Sequence, residues 1–132
     1  MAVAQNRGFV FVVEDELLVR EDALDLLRRA GLDVRGFASA AETLAFLREH
    51  AQETAAVFTD MWLESMKEGL ELASTINARW PWIALLVTSG AAARPPVGLP
   101  MKAHYLTKPW RPEQLLHLIQ KYARPHGRTE AA

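Results

Sequence analysis

Short apolar runs alternate along the chain with longer stretches in which apolar residues recur every three or four positions. Most of the runs are rich in β-branched and aromatic residues and have no polar alternation. Such runs are typical of strands covered on both faces of a parallel sheet. The runs lie at residues 9–13, 32–37 (which alternates loosely), 55–60, 83–87 and 104–107.

The stretches between the runs predict amphipathic helices. The first helix is expected to stop at Gly31, because glycine is common at the position just past a helix end. The second begins at Ser39-Ala40-Ala41-Glu42, which has the spacing of a capping box, and runs to about His50. Residues 61–68 are expected to form a loop before a third helix over 69–79. The last helix opens at Pro112 and is expected to bury Leu115, Leu118, Ile119 and Tyr122.

The segment Ala91–Met101 interrupts this alternation. It contains Pro95, Pro96, Gly98 and Pro100. Because a proline inside a helix costs about 3 kcal/mol, a sustained helix is not expected here. The sequence predicts an irregular connection instead, with at most one helical turn near its start.

Strands that alternate with helices predict an α/β fold, a doubly wound parallel sheet with right-handed crossovers and helices on both faces. Five strands make one domain over residues 9–123, with an N-terminal extension at 1–8 and a polar tail at 124–132. The short tail favours a complete natural chain.

Composition narrows the class of protein. The 132 residues include 15 Lys and Arg against 16 Asp and Glu, a net charge of −1, which disfavours a sequence-independent nucleic-acid binder. There is no Cys, so disulfides and thiolate chemistry are excluded. No apolar run approaches the roughly 20 residues of a membrane span, and the first eight residues lack a secretory signal. We expect a soluble, cytoplasmic protein.

Polar residues follow four of the predicted strands. They are Glu14 and Asp15, Asp60, Thr88 and Lys108. Because the carboxyl ends of parallel strands meet at one edge of a sheet, these side chains are expected to converge. Carboxylates crowded together repel unless a cation joins them, and Mg²⁺ prefers oxygen ligands. A nucleophilic carboxylate beside a metal, a hydroxyl and an ammonium suits phosphoryl transfer, which indicates Asp60 as a phosphate acceptor.

Each of these residues also has an ordinary structural interpretation. An acidic run such as 14–16 is equally typical of a helix start, and an isolated Asp such as Asp60 is most often a loop residue. Thr88 alone fits a turn, and Lys108 alone fits a solvated lysine. The joint occurrence at four strand ends favours the functional interpretation.

The chain resembles the receiver domain of two-component response regulators over about Phe9 to Tyr122. The resemblance lies in five motifs: Val12-Val13-Glu14-Asp15-Glu16, Phe58-Thr59-Asp60, Gly69-Leu70-Glu71-Leu72, Leu86-Val87-Thr88-Ser89-Gly90 and Tyr105-Leu106-Thr107-Lys108-Pro109. It implies a flavodoxin-like sheet of strand order 2-1-3-4-5. It also implies that the chain is a signalling phosphoacceptor rather than an enzyme with a separate substrate. A sensor histidine kinase or a histidine phosphotransfer protein would phosphorylate it in the presence of Mg²⁺.

Roles for individual residues follow from the resemblance. Asp60 would be the phosphoacceptor, and Thr88 and Lys108 would bind the phosphoryl oxygens. Asp15 would ligate the metal directly, Asp60 would also belong to the metal site, Glu14 would reach the metal through water, and the Trp62 backbone carbonyl would complete the site.

Tyr105 would be the aromatic switch residue that turns inward when Thr88 moves toward the phosphate.

The chain departs from the family pattern at three places. Glu14 replaces the usual Asp, which predicts altered metal geometry. The loop after Asp60 has Leu63-Glu64 in place of the common Met-Pro and is one residue longer, and the bulky Trp62 predicts slow autodephosphorylation. In the family, the fourth helix is part of the surface that forms a symmetric dimer. Because Ala91–Met101 is expected to be irregular, we predict that this chain does not signal through that dimer.

We therefore expect a single-domain response regulator that signals by phosphorylation-dependent protein binding, or that acts as a phosphate shuttle or sink. No nucleic-acid or membrane partner is expected, and the downstream protein is not indicated. The alternative is a phosphate-independent interaction module. A flavodoxin is disfavoured because the acidic 14–16 run would repel a cofactor phosphate. A haloacid-dehalogenase-type phosphatase would need an Asp where Trp62 stands.

Overall fold

A five-stranded parallel sheet forms the centre of the fold. The computed structural model describes residues 8–90, 95 and 97–123. The sheet has the order β2-β1-β3-β4-β5, and every neighbouring pair of strands is parallel. This confirms the predicted fold class. The strands are β1 (Phe9–Val13), β2 (Asp33–Phe37), β3 (Thr54–Asp60), β4 (Ala84–Ser89) and β5 (His104–Thr107).

Helices cover both faces of the sheet because side chains alternate along each strand. The helices are α1 (Leu17–Arg29), α2 (Ala40–His50), α3 (Met66–Arg79) and α4 (Pro112–Tyr122), and a short 3₁₀ turn (Ala51–Glu53) follows α2. In β1, Val10 and Val12 pack into one core with α1 and α4, whereas Phe11 and Val13 pack into a second core with α2 and α3.

The central strand β3 is buried along its whole length. Its polar side chains are tolerated because they hydrogen-bond to backbone groups. The Thr54 hydroxyl donates to the His50 carbonyl at 2.8 Å, and the Thr59 hydroxyl donates to the Asp60 carbonyl at 3.0 Å. Strand β3 is therefore buried without interruption up to Asp60, its last residue.

The predicted end of α1 at Gly31 is confirmed. Gly31 has φ = +88°, a left-handed conformation that glycine adopts without a steric penalty. The Leu32 amide then donates back to the Leu27 carbonyl at 3.1 Å. Leu32 is thus part of the turn, and β2 starts one residue later than predicted.

The predicted start of the third helix at Gly69 is wrong. Helix α3 begins at Met66, because the Ser65 hydroxyl caps it by accepting the Glu68 amide at 3.1 Å. The Glu68 carboxylate in turn accepts the Glu64 amide at 3.2 Å. The Ser65-Met66-Lys67-Glu68 spacing carried this signal in the sequence.

The predicted buried face of the last helix is correct only in part. Leu115 and Ile119 are buried, whereas Leu118 is half-buried and Tyr122 is 40% exposed. Tyr122 lies in the last turn of α4, beyond the cover of the core, and its ring stacks on His104 at the edge of the sheet.

The described residues between β4 and β5 contain no helix, which agrees with the predicted loss of regular structure there. Residues 97–98 and 101–102 form turns, and Gly98 has a φ of +98°. Residues 91–94 and 96 lie outside the described residues, as do 1–7 and 124–132 with the predicted extension and tail. The expectation that this face forms no symmetric dimer stays a prediction.

Gly69→Ala tests the tightest backbone contact of α3. A Cβ at Gly69 would lie 1.9 Å from the Met61 carbonyl oxygen. Without that contact, Ala in place of Gly inside a helix would stabilise by about 1 kcal/mol. We expect the opposite sign, a loss of about 1–3 kcal/mol in the free energy of unfolding measured with urea.

Ser74→Ala on the exposed side of α3 is the matched control and should change stability by less than about 0.5 kcal/mol. A Gly69→Ala protein as stable as the wild type would contradict the steric interpretation.

Candidate functional site

The carboxyl ends of β3, β4 and β5 bring three of the predicted site residues together. Asp60 and Thr88 are register partners on adjacent strands, and Lys108 follows the last residue of β5. Backbone hydrogen bonds extend this pairing beyond the strands. The Met61 amide donates to the Thr88 carbonyl at 2.8 Å, and the Lys108 amide donates to the Ser89 carbonyl at 3.2 Å.

Asp60 is held by one donor on each carboxylate oxygen. The Lys108 ammonium donates to Oδ2 at 2.9 Å, and the Trp62 amide donates to Oδ1 at 3.0 Å. Asp60 is only 7% exposed. Burial disfavours the Lys108 charge, but the hydrogen bond and charge of Asp60, with the charges of Glu14 and Glu16, outweigh it and raise the pKa of Lys108. Lys108 therefore stays a cation beside the carboxylate.

Thr88 contributes a buried hydroxyl. Its Oγ1 has no hydrogen-bond partner among the described residues, although the side chain is only 3% exposed. An unpaired buried hydroxyl costs about 1–3 kcal/mol, so such groups are rare in folded proteins. A donor kept in this state beside a carboxylate is suited to a ligand oxygen.

Glu14 follows the last residue of β1 and is at least as buried as Asp60, with 6% of its surface exposed. Its Oε2 accepts the Glu16 amide at 3.1 Å, and its backbone carbonyl accepts from the Arg20 guanidinium at 2.7 Å. Burial, followed by the neighbouring charge of Asp60, raises the pKa of Glu14 to about 7. Glu14 and Asp60 are thus two buried carboxyl groups that lie beside the single ammonium of Lys108.

An open pocket of about 430 Å³ joins Glu14, Asp60 and Lys108, whereas Thr88 lines a separate small cavity next to Asp60 and not this pocket. The open pocket brings together all four predicted metal-ligand positions and Lys108, although the Trp62 ring is 58% exposed and Asp15 is exposed. The residues lining it are Glu14, Asp15, Glu16, Asp60, Trp62, Ser89, Gly90 and Lys108.

The donor chemistry of this pocket fits a hydrated Mg²⁺ ion. In the described part of the chain, no group of three or more acidic or histidine side chains is arranged so that it could hold a metal unaided. Mg²⁺ usually keeps several of its own waters and needs one or two carboxylates from the protein. Because burial, and then the charge of Asp60, raises the pKa of Glu14, a cation bound beside Glu14 would favour its ionised form.

Tyr105, the predicted switch residue, does not line this pocket. It is half-buried and packs against the core on the α2 and α3 face. Its register partner is Val87, one residue before Thr88.

Residues that the sequence did not indicate complete the floor of the site. Trp110 packs edge-on against Phe58 with ring centroids 5.4 Å apart, and both line a cavity of about 20 Å³ beneath Asp60, with Val19 also in its wall. Arg20 fixes the backbone of Glu14 from the first turns of α1. The sequence shows Trp110 shortly after the Lys108-Pro109 motif, but it does not show that this ring packs against Phe58 of β3.

Comparison with known proteins agrees with this fold. The family model described as "Response regulator receiver domain" matches residues 10–120. The chain belongs to the response regulator receiver domain family. Receiver domains are signalling modules, and the fold described above is that of the family.

A curated relative is the nodulation protein W of Bradyrhizobium diazoefficiens, which is 29% identical over 119 residues. The match covers 88% of this chain and 51% of that protein, so the chain spans about half the length of the curated relative that it matches.

Two solved structures show the same fold. A response regulator receiver domain protein from Clostridium thermocellum gives a TM-score of 0.79 at 23% identity, covering 87% of this chain and 93% of that one. A CheY-like receiver domain protein from Methanospirillum hungatei JF-1 gives a TM-score of 0.73 at 22% identity, covering 86% of this chain and 91% of that one.

None of the helices in the described residues is long and apolar enough to cross a membrane.

A double-mutant cycle tests the Asp60–Lys108 pair. Lys108→Met leaves a buried carboxylate near Glu14 without a cation, so we expect the free energy of unfolding to fall by about 1–3 kcal/mol. Adding Asp60→Asn in the same protein should recover most of that loss, which gives a coupling free energy above about 1 kcal/mol by urea denaturation.

The exposed pair Lys67–Glu71, whose charged atoms lie 4.0 Å apart, is the control. The cycle of Lys67→Met and Glu71→Gln should give a coupling below about 0.5 kcal/mol. Additive effects at Asp60 and Lys108 would show that the pair does not stabilise the site.

Proposed function

We propose that the chain is a phosphoacceptor response regulator that is phosphorylated on Asp60 by a sensor histidine kinase or a histidine phosphotransfer protein. The observation that carries this proposal is the surroundings of Asp60. Its carboxylate lies 2.9 Å from the Lys108 ammonium and beside the unpaired hydroxyl of Thr88, on the rim of an open pocket. A nucleophile, a cation and a free donor at one point suit phosphoryl transfer.

In the proposed reaction, a carboxylate oxygen of Asp60 forms a bond to phosphorus while the bond from phosphorus to the donor's histidine nitrogen breaks. The donor's imidazole, which carries a proton on its other ring nitrogen, keeps the electron pair of the broken bond and leaves as a neutral imidazole, and the acyl phosphate remains on Asp60. The Trp62 amide holds Oδ1 and so fixes the orientation of the carboxylate. Lys108 and the Thr88 hydroxyl bind the phosphoryl oxygens, where negative charge concentrates.

Glu14, Asp15, Asp60 and the Trp62 backbone carbonyl are the groups that would hold Mg²⁺. The ion supplies positive charge that neutralises the phosphoryl oxygens and the carboxylates when it is bound. Glu14 is longer than Asp by one methylene and is already held by the Glu16 amide, so it acts best through a water.

The proposed output is a change of surface that a partner protein recognises, or passage of the phosphoryl group to another histidine. Thr88 gains a hydrogen-bond partner when Asp60 is phosphorylated. Because Tyr105 pairs in register next to Thr88 and is half-buried, it is the side chain placed to respond by moving inward.

Labelling with a small phosphodonor tests the proposed function. With Mg²⁺ and acetyl phosphate, we expect the wild-type chain to gain one phosphoryl group by mass spectrometry. Asp60→Asn should gain none, because the amide is not a nucleophile. Thr88→Ala and Lys108→Met should be labelled more slowly, since each loses a group that stabilises the transferred phosphoryl; removing one such donor costs about 10²–10³ in rate in other enzymes.

Asp22→Asn is the matched control, since Asp22 is an exposed acid on α1 away from the pocket, and it should be labelled like the wild type. A wild-type chain that binds Mg²⁺ but takes no label would instead indicate a phosphate-independent interaction module.

Trp62→Ala tests control of the phosphoryl lifetime. The Trp62 ring borders the pocket at 58% exposure and is expected to hinder the approach of water to the acyl phosphate. We expect slow dephosphorylation of the wild type and a clearly faster loss of phosphate from Trp62→Ala, followed by mass spectrometry after removal of the donor. A half-life of seconds that Trp62→Ala leaves unchanged would contradict this role.

A further inference from the structure

A second pocket lies at the opposite edge of the sheet, where β4 and β5 begin. Its volume is about 350 Å³, within the range typical of small-ligand sites. The first residues of β4 form its floor, and Trp82, Lys102, His104 and Tyr122 line it. It shares no lining residue with the pocket beside Asp60.

Lys102 brings a partly buried positive charge to this pocket. Its ammonium donates to the Pro81 carbonyl and, at 3.2 Å, to the Ile83 carbonyl. An ammonium has three N–H donors, so these two carbonyls leave one for a ligand. Burial lowers the pKa of Lys102, which shows that the carbonyls do not fully replace water around the charge.

A second lysine adds to the positive potential. Lys121 lies over the Tyr122 ring at 5.4 Å from its centroid, at the end of α4. Burial, and then the charge of Lys121, lowers the pKa of His104. His104 thus experiences a local excess of positive charge.

No carboxylate among the described residues neutralises these cations. Of the four lysines in the chain, Lys67 pairs with Glu71 and Lys108 pairs with Asp60. Within the described part of the chain, neither Lys102 nor Lys121 takes part in an ion pair, although the chain as a whole carries a net charge of −1. The positive charge is therefore a local property of this pocket.

The walls of the pocket are flat and aromatic. His104 stacks on Tyr122 with ring centroids 4.1 Å apart and an angle of 24° between the planes. The indole of Trp82 is fixed in place by its hydrogen bond to the Ala51 carbonyl at 3.2 Å. Aromatic side chains beside cations that have no carboxylate partner among the described residues favour a ligand that combines an anionic group with a flat apolar body.

We propose that this pocket binds a small aromatic carboxylate or a similar flat organic anion, with Lys102 contacting the anionic group, Lys121 adding long-range attraction, and His104 and Tyr122 contacting the ring. The pocket lies at the start of β4, four residues before Thr88, which is a distance of about 13 Å along the strand. The ligand therefore binds without occupying the pocket of Asp60, whether or not Asp60 is phosphorylated.

Titration of the ¹⁵N-labelled chain with benzoate, followed by NMR, tests this site. We expect saturable shifts of the amides of Ala84, His104 and Tyr122. Lys102→Gln should weaken binding about tenfold, because it removes a charge-assisted hydrogen bond. Lys121→Gln should weaken it about two- to threefold, because its charge acts at a distance through partly screened solvent.

Neutral benzamide should bind at least about tenfold more weakly than benzoate, by the same loss of a charge-assisted contact. Lys67→Gln, which removes a lysine on α3 outside the pocket, should bind benzoate like the wild type. Asp60→Asn should also bind like the wild type, which separates this site from the proposed phosphorylation.

Equal affinities for benzoate and benzamide, or affinities that neither Lys102→Gln nor Lys121→Gln changes, would overturn the proposal. The absence of saturable shifts up to about 20 mM benzoate would do the same, since so weak an association is not specific recognition. Lys121→Gln lies on the surface and keeps the test decisive if Lys102→Gln disturbs folding, which the NMR spectrum of the free protein reports.

Discussion

The ion pair between Asp60 and Lys108 is the interaction on which the carboxyl edge of the sheet depends. It neutralises a carboxylate that is only 7% exposed and that has a second buried acid, Glu14, beside it. The single ammonium lies beside both carboxyl groups, and Thr88 adds an unpaired donor. The edge is therefore held together by this pair and still presents the groups that we propose bind a metal ion and a phosphoryl group.

Packing in the rest of the fold positions the backbone at the carboxyl ends of the strands. Strand β3 is buried throughout, so the position of Asp60 is set by packing rather than by a surface loop. Just beyond it, Gly69 lets α3 approach the Met61 carbonyl more closely than any residue with a Cβ could. The Trp62 amide, held in the segment between them, is thus fixed against the Asp60 carboxylate.

The two ends of β4 present different chemistry. At its carboxyl end, acidic groups outnumber the single lysine, and the pocket suits a cation and a phosphoryl group. At its amino end, Lys102 and Lys121 lack carboxylate partners within the described residues, and aromatic rings form the walls. The sheet separates the two sites, which allows each to be altered without direct contact with the other.

The sequence by itself determined the strands, their order by resemblance, and the convergence of Asp60, Thr88 and Lys108, because residues at the ends of parallel strands must share an edge. It also carried the Ser65–Glu68 cap, which starts α3 three residues before the predicted start at Gly69. Only the tertiary structure decided the contacts that depend on how distant elements pack: the Arg20 contact to Glu14, the approach of Gly69 to Met61, and the stacking of an exposed Tyr122 on His104. Periodicity and motifs are local properties of a chain, whereas such contacts follow from the separation and angle of packed elements, which no local pattern encodes.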